Sequence, residues 1–312
     1  MRLQDLDRSS SSEIWAVGGG KGGTGKSFLA ANLAISLAHR GRRVLLIDAD
    51  LGCANLHSCL GLQYPEVTLS DLVKGRIRKL QDAIVPTGIP NLSLISGAQD
   101  ILEMANPKHG QKLRLLRQIQ SLDVEHIILD LGAGTSFNTL DFFLIADQGI
   151  LAVLPEPTSI ENAYRFIKSA LFRRLKLLTQ EPQVRAVIEK AMDRKNDLGI
   201  RSPVDLIEHV HRMDRRLGAH LEESMAQFRP AIVLNQVRSL SDVRVGYSMQ
   251  AACEKFFGIK VDFLGYLEND DQVWQSIRKR QPITMNGDNS KTARNLRTIS
   301  YNLLNNLQLK PE

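Results

Sequence analysis

The sequence predicts an α/β protein organised on a doubly wound, mostly parallel sheet, and three observations predict it. Short apolar runs rich in branched residues recur along the 312 residues, at Ile14 to Val17, Val44 to Ile47, Ile127 to Leu129, Ile150 to Leu154, Ala231 to Val237 and Val261 to Leu267. Near-continuous apolar runs of this kind suit strands buried on both faces. Helix-compatible stretches lie between most of them, as parallel pairing requires. Several runs end on a carboxylate or a glycine-rich turn, where open α/β sheets bind their ligands.

The first run leads into Gly18-Gly19-Gly20-Lys21-Gly22-Gly23-Thr24-Gly25-Lys26-Ser27. From Gly20 to Ser27 this is the phosphate-loop spacing: a glycine, four residues, then Gly-Lys-Ser. Glycines let backbone N–H groups close around phosphate oxygens, and a helix beginning here turns its positive dipole end to the anion. The segment Gly20, Lys21, Gly22, Gly23, Thr24, Gly25, Lys26, Ser27 and Phe28 is therefore the expected nucleotide site. Lys26 would reach the β and γ phosphates, and Ser27 would hold Mg²⁺. Leu29, Leu33, Ile35 and Leu37 mark the following helix as largely buried, and Gly41 supplies its stop.

The second strand ends in Asp48-Ala49-Asp50-Leu51-Gly52-Cys53-Ala54-Asn55. Two carboxylates one residue apart beside a phosphate loop can position metal-bound waters and an attacking water. Leu69 to Gly75 reads as a short capped helix, Asn91 to Ala98 as a strand and turn, and Gln111 to Gln120 as a helix. The run Ile127-Ile128-Leu129-Asp130 has the Walker B arrangement, with Asp130 holding Mg²⁺ directly or through water. Gly132 and Gly134 follow, and a loop with two glycines can move toward or away from a γ-phosphate. Pro155-Glu156-Pro157-Thr158 breaks the next strand before a helix.

Residues 164–229 read as an all-helical insertion, with helix starts at Pro182 and Pro203. The stretch carries 14 Lys or Arg against 9 Asp or Glu, nearly all of the chain's net charge of +6. Amphipathic helices with charged outer faces explain this. A DNA surface formed by Arg173, Arg174, Lys176, Arg212, Arg215 and Arg216 is the alternative. The remainder, 13–312, reads as one domain around this insertion, preceded by a serine-rich flexible tail at 1–12. No apolar run approaches the roughly 20 residues needed to span a bilayer, and the N-terminus lacks a signal-peptide apolar region. The expected location is cytoplasmic. Cys53, Cys59 and Cys253 form no CxxC pair, so neither a disulfide framework nor a zinc site is indicated.

Lys21, a second lysine inside the loop, makes the spacing Lys-Gly-Gly-x-Gly-Lys-Ser. That spacing resembles the deviant Walker A motif of the MinD/ParA family of P-loop ATPases, of SIMIBI-type topology. The stretch Asp48 to Asn55 is similar to the D-x-D-x-G-x-x-N switch I signature of the MinD branch, and Asp130 to Gly134 is close to its D-x-x-A-G. The resemblance covers residues 14–163 and 231–307. It implies an ATP-dependent homodimer in which Lys21 touches the partner's phosphates, Lys21, Lys26 and Asp50 are catalytic, and Asp50 orients the attacking water. Ser27, Asp48 and Asp130 are implied to serve the metal, with Asn55, Gly132 and Gly134 at the switch and dimer face. The cofactors implied are ATP and Mg²⁺.

Asn235 matches an Asn that related ATPases use at the adenine edge, and the guanine-selecting Asn-Lys-x-Asp pattern is absent, so ATP is expected over GTP. Gly265 to Asp270 resembles the family's G-x-I-P-x-D base loop, with Glu268 in place of the proline. The turn Ile95-Ser96-Gly97-Ala98 leans toward the FlhG/FleN type, which regulates flagellar number and placement. A slow ATPase switch that places or counts a cellular structure is thus expected, with a protein activator or cargo partner and recruitment to the cell pole or membrane by a partner. Leu296, Ile299, Leu303, Leu304 and Leu307 form one stripe on the final helix, which reads as packed on its own sheet, without direct membrane insertion. A partition ATPase binding DNA and, ranked lower, a metallocluster carrier needing interface thiolates are the rival readings.

Overall fold

The computed structural model describes residues 12–52, 54–97, 109–193, 196–286 and 290–310. The expectations placed on the tail before Ser12, on Cys53 and on Ala98 lie outside these. Each apolar run becomes a strand: β1 (Glu13–Gly18), β2 (Val44–Ala49), β4 (Leu92–Ile95), β5 (His126–Leu131), β6 (Gln148–Val153), β7 (Ala231–Val237) and β8 (Asp262–Glu268). With the two-residue β3 (Val85–Pro86) they form one sheet in the order β3-β4-β2-β5-β1-β6-β7-β8. Only β3 runs antiparallel. The chain leaves β1 for β2 on one side, and β6 then flanks β1 on the other. The order therefore reverses at β1, and the crevice outside its C-terminal end is where a ligand belongs.

Alternation along the strands divides the core into two layers. β1 sends Ile14 and Ala16 into one and Trp15 and Val17 into the other. Against the Trp15 face pack α1 (Lys26–Ala38) and α12 (Lys291–Leu304), whose Leu296, Ile299 and Leu303 are buried there. The α12 stripe is thus a core face, although Leu307 beyond the helix is exposed. Against the Ile14 face pack α4 (His109–Gln120), α5 (Phe137–Leu144), α6 (Pro157–Leu178) and α10 (Leu240–Phe257). The α10 stretch carries no clear helical period in the sequence. Its period is masked by polar residues, and the structure shows a Ser239/Asp242 capping box at its start and Gly258 at φ +68° at its end.

Among its described residues the insertion is helices and connections with no strand: the last part of α6, then α7 (Pro182–Met192), α8 (Pro203–Met213) and α9 (Arg215–Gln227), with Pro182 and Pro203 in first helical turns. Ser202 and Asp205 cap α8 reciprocally, and the Asp214 carboxylate accepts from the N–H groups of Arg216 and Leu217 at the start of α9. Val184, Ile188, Leu206, Val210 and Leu221 join the same apolar layer as the sheet. Two of the six cations considered for a DNA surface are turned inward as braces, which corrects that reading for them: Arg173 forks onto Asp141 at 2.8 and 3.0 Å, and Arg174 donates to Ser224 at 2.9 Å. Lys176 pairs with the exposed Glu189 at the surface.

Candidate nucleotide site

The site is assembled at the C-terminal ends of β1, β2 and β5. Residues 19–25 connect β1 to α1, whose first residue is Lys26. Gly25 sits at φ +90° as the helix N-cap, and a Cβ there would collide with the Asn235 amide. Gly20 is required for a different reason. A Cβ on it would fall on the backbone carbonyl of Asn162, so α6 presses directly on the phosphate loop. Space beside Gly22 and Gly23 is open, with nothing within 4 Å of where a Cβ would stand. The loop is thus braced at both ends and open at its crown, a shape that admits phosphate oxygens.

Lys26 lies beneath the loop, buried, with its Nζ 3.4 Å from the Lys21 carbonyl. Burial lowers the pKa of its ammonium, while the Asp130 and Asp50 carboxylates act in the opposite direction. Lys21 points away, with Nζ 3.3 Å from Thr158 Oγ1 and 3.9 Å from Glu156 Oε2, at the N-terminus of α6. Ser27 is half-buried, and its hydroxyl lies beside the Asp130 carboxylate, whose charged form it favours. Phe28 packs its ring toward the core, leaving its backbone as the part of it that can meet a ligand.

Asp48 and Asp130 face each other across the β2–β5 pairing. Both are buried, and burial pushes both pKa values up, Asp48 to about 7 and Asp130 well above the usual carboxylate range. Asp48 is also occupied: its carboxylate accepts from the N–H groups of Asp50, Asn55 and Leu56 at 3.2, 2.8 and 3.0 Å. It thereby ties the loop after β2 to the start of α2 (Leu56–Cys59). Asp130 Oδ1 has no hydrogen-bond partner in the structure. An unsatisfied buried carboxylate oxygen beside a serine hydroxyl fits a hard cation with oxygen ligands. Among the described residues no group of three or more His, Cys, Asp or Glu could hold a metal on its own, so phosphate and water oxygens would complete the shell.

Asp50 stands above the loop after β5. A Cβ on Gly132 would meet its Oδ1 at 3.1 Å, and Gly52 N–H donates to it at 3.3 Å. Gly134, at φ +89°, donates to the Gly19 carbonyl at 3.1 Å, so this loop is hydrogen-bonded to the phosphate loop. Asn55 is exposed. Asn235, expected at an adenine edge, instead donates to the Thr24 carbonyl at 2.9 Å, and its own oxygen accepts from Gln236 N–H. In this structure it is a brace of the phosphate loop. Asn162, Glu156 and Thr158 were not singled out as site residues from the sequence. The signal for the first was Gly20 itself, whose missing side chain makes room for α6; for the others it was the Pro-x-Pro turn. The remaining thiols are poor ligands: burial pushes Cys59 up to about 11 and Cys253 to about 12.

A loop of this geometry has known counterparts. The family model for the CobQ/CobB/MinD/ParA nucleotide binding domain matches residues 15–283. The chain belongs to this family. It is 36% identical over 202 residues to the antiactivator FleN of Pseudomonas aeruginosa, covering 60% of this chain and 71% of that protein. Identity to the flagellum site-determining protein YlxH of Helicobacter pylori is 32% over 193 residues, 59% of this chain and 65% of YlxH. Among solved structures, the septum site-determining protein MinD of Pyrococcus horikoshii, complexed with Mg-ADP, superposes with a TM-score of 0.64 at 22% identity, covering 94% of this chain and 96% of that one. That likeness confirms the doubly wound fold.

Proposed function

We propose that the chain is an ATP- and Mg²⁺-dependent dimerisation switch that hydrolyses ATP slowly and positions or counts a cellular structure such as flagella. The observation that carries this reading is the placement of the two loop lysines. Lys26 is buried beneath its own loop, whereas Lys21 is about half exposed, pairs with the α6 turn and points away from that loop. A lysine so placed is free to turn toward a second protomer without dismantling its own site. The FleN and YlxH relatives support the flagellar part.

In this reading the open crown of the loop receives the phosphates, and Lys26 neutralises their charge from below. Ser27 and Asp130 would hold the metal, with Asp48 fixing the loop that carries Asp50. Mg²⁺ held there would supply charge neutralisation for the phosphates. Asp50, above Gly132, orients the attacking water. Loss of the γ-phosphate is relayed through the Gly134 to Gly19 hydrogen bond, which joins the moving loop to the phosphate loop. The chain forms one nucleotide-binding domain over 13–312, with a helical insertion at 164–229.

Phosphate release measured with and without Asp50→Ala tests the assignment. The variant is expected to bind ATP with affinity near that of the wild type and to release phosphate at least about tenfold more slowly. Unchanged release would remove Asp50 from the reaction.

A further inference from the structure

The helix α11 (Asp271–Lys279), which follows β8, carries side chains that the nucleotide reading leaves unused. Only Ser276 of it is buried. Trp274 and Ile277, one turn apart, are 61% and 59% exposed. The Arg278 guanidinium carbon lies 4.6 Å from the Trp274 ring centroid. Lys279 and Arg280 continue the basic run, all three cations are exposed, and no acidic residue occurs from Gln272 to Gln281. Elsewhere the chain keeps its other tryptophan, Trp15, 1% exposed.

We propose that this face of α11 is a peripheral docking surface for anionic lipid headgroups. An indole and a branched aliphatic side chain held outward beside three consecutive cations match the two layers of a bilayer interface: amphipathic rings settle at headgroup depth and basic side chains meet the anionic charge. The face is also held rigidly. Arg280 closes α11 at φ +51°, and its carbonyl oxygen would lie 2.5 Å from a Cβ on Gly61, leaving no slack against the turn that ends α2. Because one short helix offers little apolar area, the contact is reversible and depends on charge.

The two tryptophans supply the test. The full chain is titrated with vesicles of phosphatidylcholine containing about a third phosphatidylglycerol, and with phosphatidylcholine alone, following tryptophan emission and co-sedimentation. A blue shift with the anionic vesicles only, weakened by salt, is expected. Trp274→Phe should lose the shift, and Arg278→Glu with Lys279→Glu should lower co-sedimentation at least about tenfold while leaving the melting temperature and ATP binding unchanged. Equal binding to neutral vesicles, or anionic binding that survives both changes, would overturn the proposal. So would a blue shift brought about by ATP without lipid, which would make the face a contact with a second copy. Salt-sensitive retention on duplex DNA without vesicle binding would make it a nucleic-acid surface instead.

Discussion

The loops at the ends of β1, β2 and β5 and the helices α7 to α9 treat buried polar groups differently. At the sheet edge two carboxylates are stacked across adjacent strands, both pKa values are pushed up by burial, and Asp130 Oδ1 has no partner. Around the insertion Arg174 meets Ser224, Lys176 meets Glu189, and the starts of α8 and α9 are capped by Ser202 and Asp214. An unsatisfied carboxylate oxygen at the ligand edge of the sheet can take a cation, whereas satisfied groups hold an architecture; Arg185 Nε on α7, also without a hydrogen-bond partner, sits far from that edge in the chain and marks no site by itself. The insertion's positive charge, seen as a total, left a DNA surface as the alternative to amphipathic helices with charged outer faces. Resolved residue by residue, Arg173 and Arg174 turn inward, while Arg165, Lys190 and Arg212 pair with acids at the surface.

The comparison breaks first at its strongest brace. Asp141 on α5 receives Lys112 of α4 at 2.5 Å and Arg173 of α6 at 2.8 Å, and Asp141 and Lys112 are both buried. Asp141→Ala should cost about 3–5 kcal/mol, since it leaves buried cations without their partner; denaturant unfolding measures this, and a loss comparable to a surface change would refute the bracing role. Lys26→Ala, at the sheet edge, should instead leave the fold intact and weaken ATP binding by roughly 100-fold, the loss of a charge-assisted contact of about 3 kcal/mol. Calorimetric titration would show it.

Two smaller changes sharpen the contrast. Gly20→Ala drives a methyl into the Asn162 carbonyl and should destabilise by about 1–3 kcal/mol, lowering the melting temperature and ATP affinity together. Asn235→Ala removes the bond to the Thr24 carbonyl and should cost about 1 kcal/mol. If Asn235→Ala also changed the preference for ATP over GTP, the residue would contact the base after all. Exposed Arg215→Ala should fall within about 0.5 kcal/mol of wild type, as measured by thermal melts.

The strands, the phosphate loop and the Asp130 carboxylate were legible in the sequence because each is local: an apolar run with a punctuation mark at its end. Pro182 and Pro203 marked helix starts for the same reason. The Lys112, Asp141 and Arg173 cluster was not legible, since its members lie 29 and 32 residues from Asp141 and come together only through packing. Asn235 shows a subtler limit. The structure sets it against the phosphate loop, where what its amide touches depends on how closely Gly25 lets it approach. The count of cations in 164–229 likewise carried no information about which ones face inward.

The account rests most on Lys21, which the structure holds against Glu156 and Thr158. Solution mass by light scattering, without nucleotide, with ADP and with ATP, tests it on wild type, Lys21→Ala and Asp50→Ala. The predicted result is a monomer with ADP, a dimer with ATP that persists in Asp50→Ala, and no ATP dimer in Lys21→Ala. A mass independent of nucleotide, or an ATP dimer undiminished without Lys21, would contradict the switch.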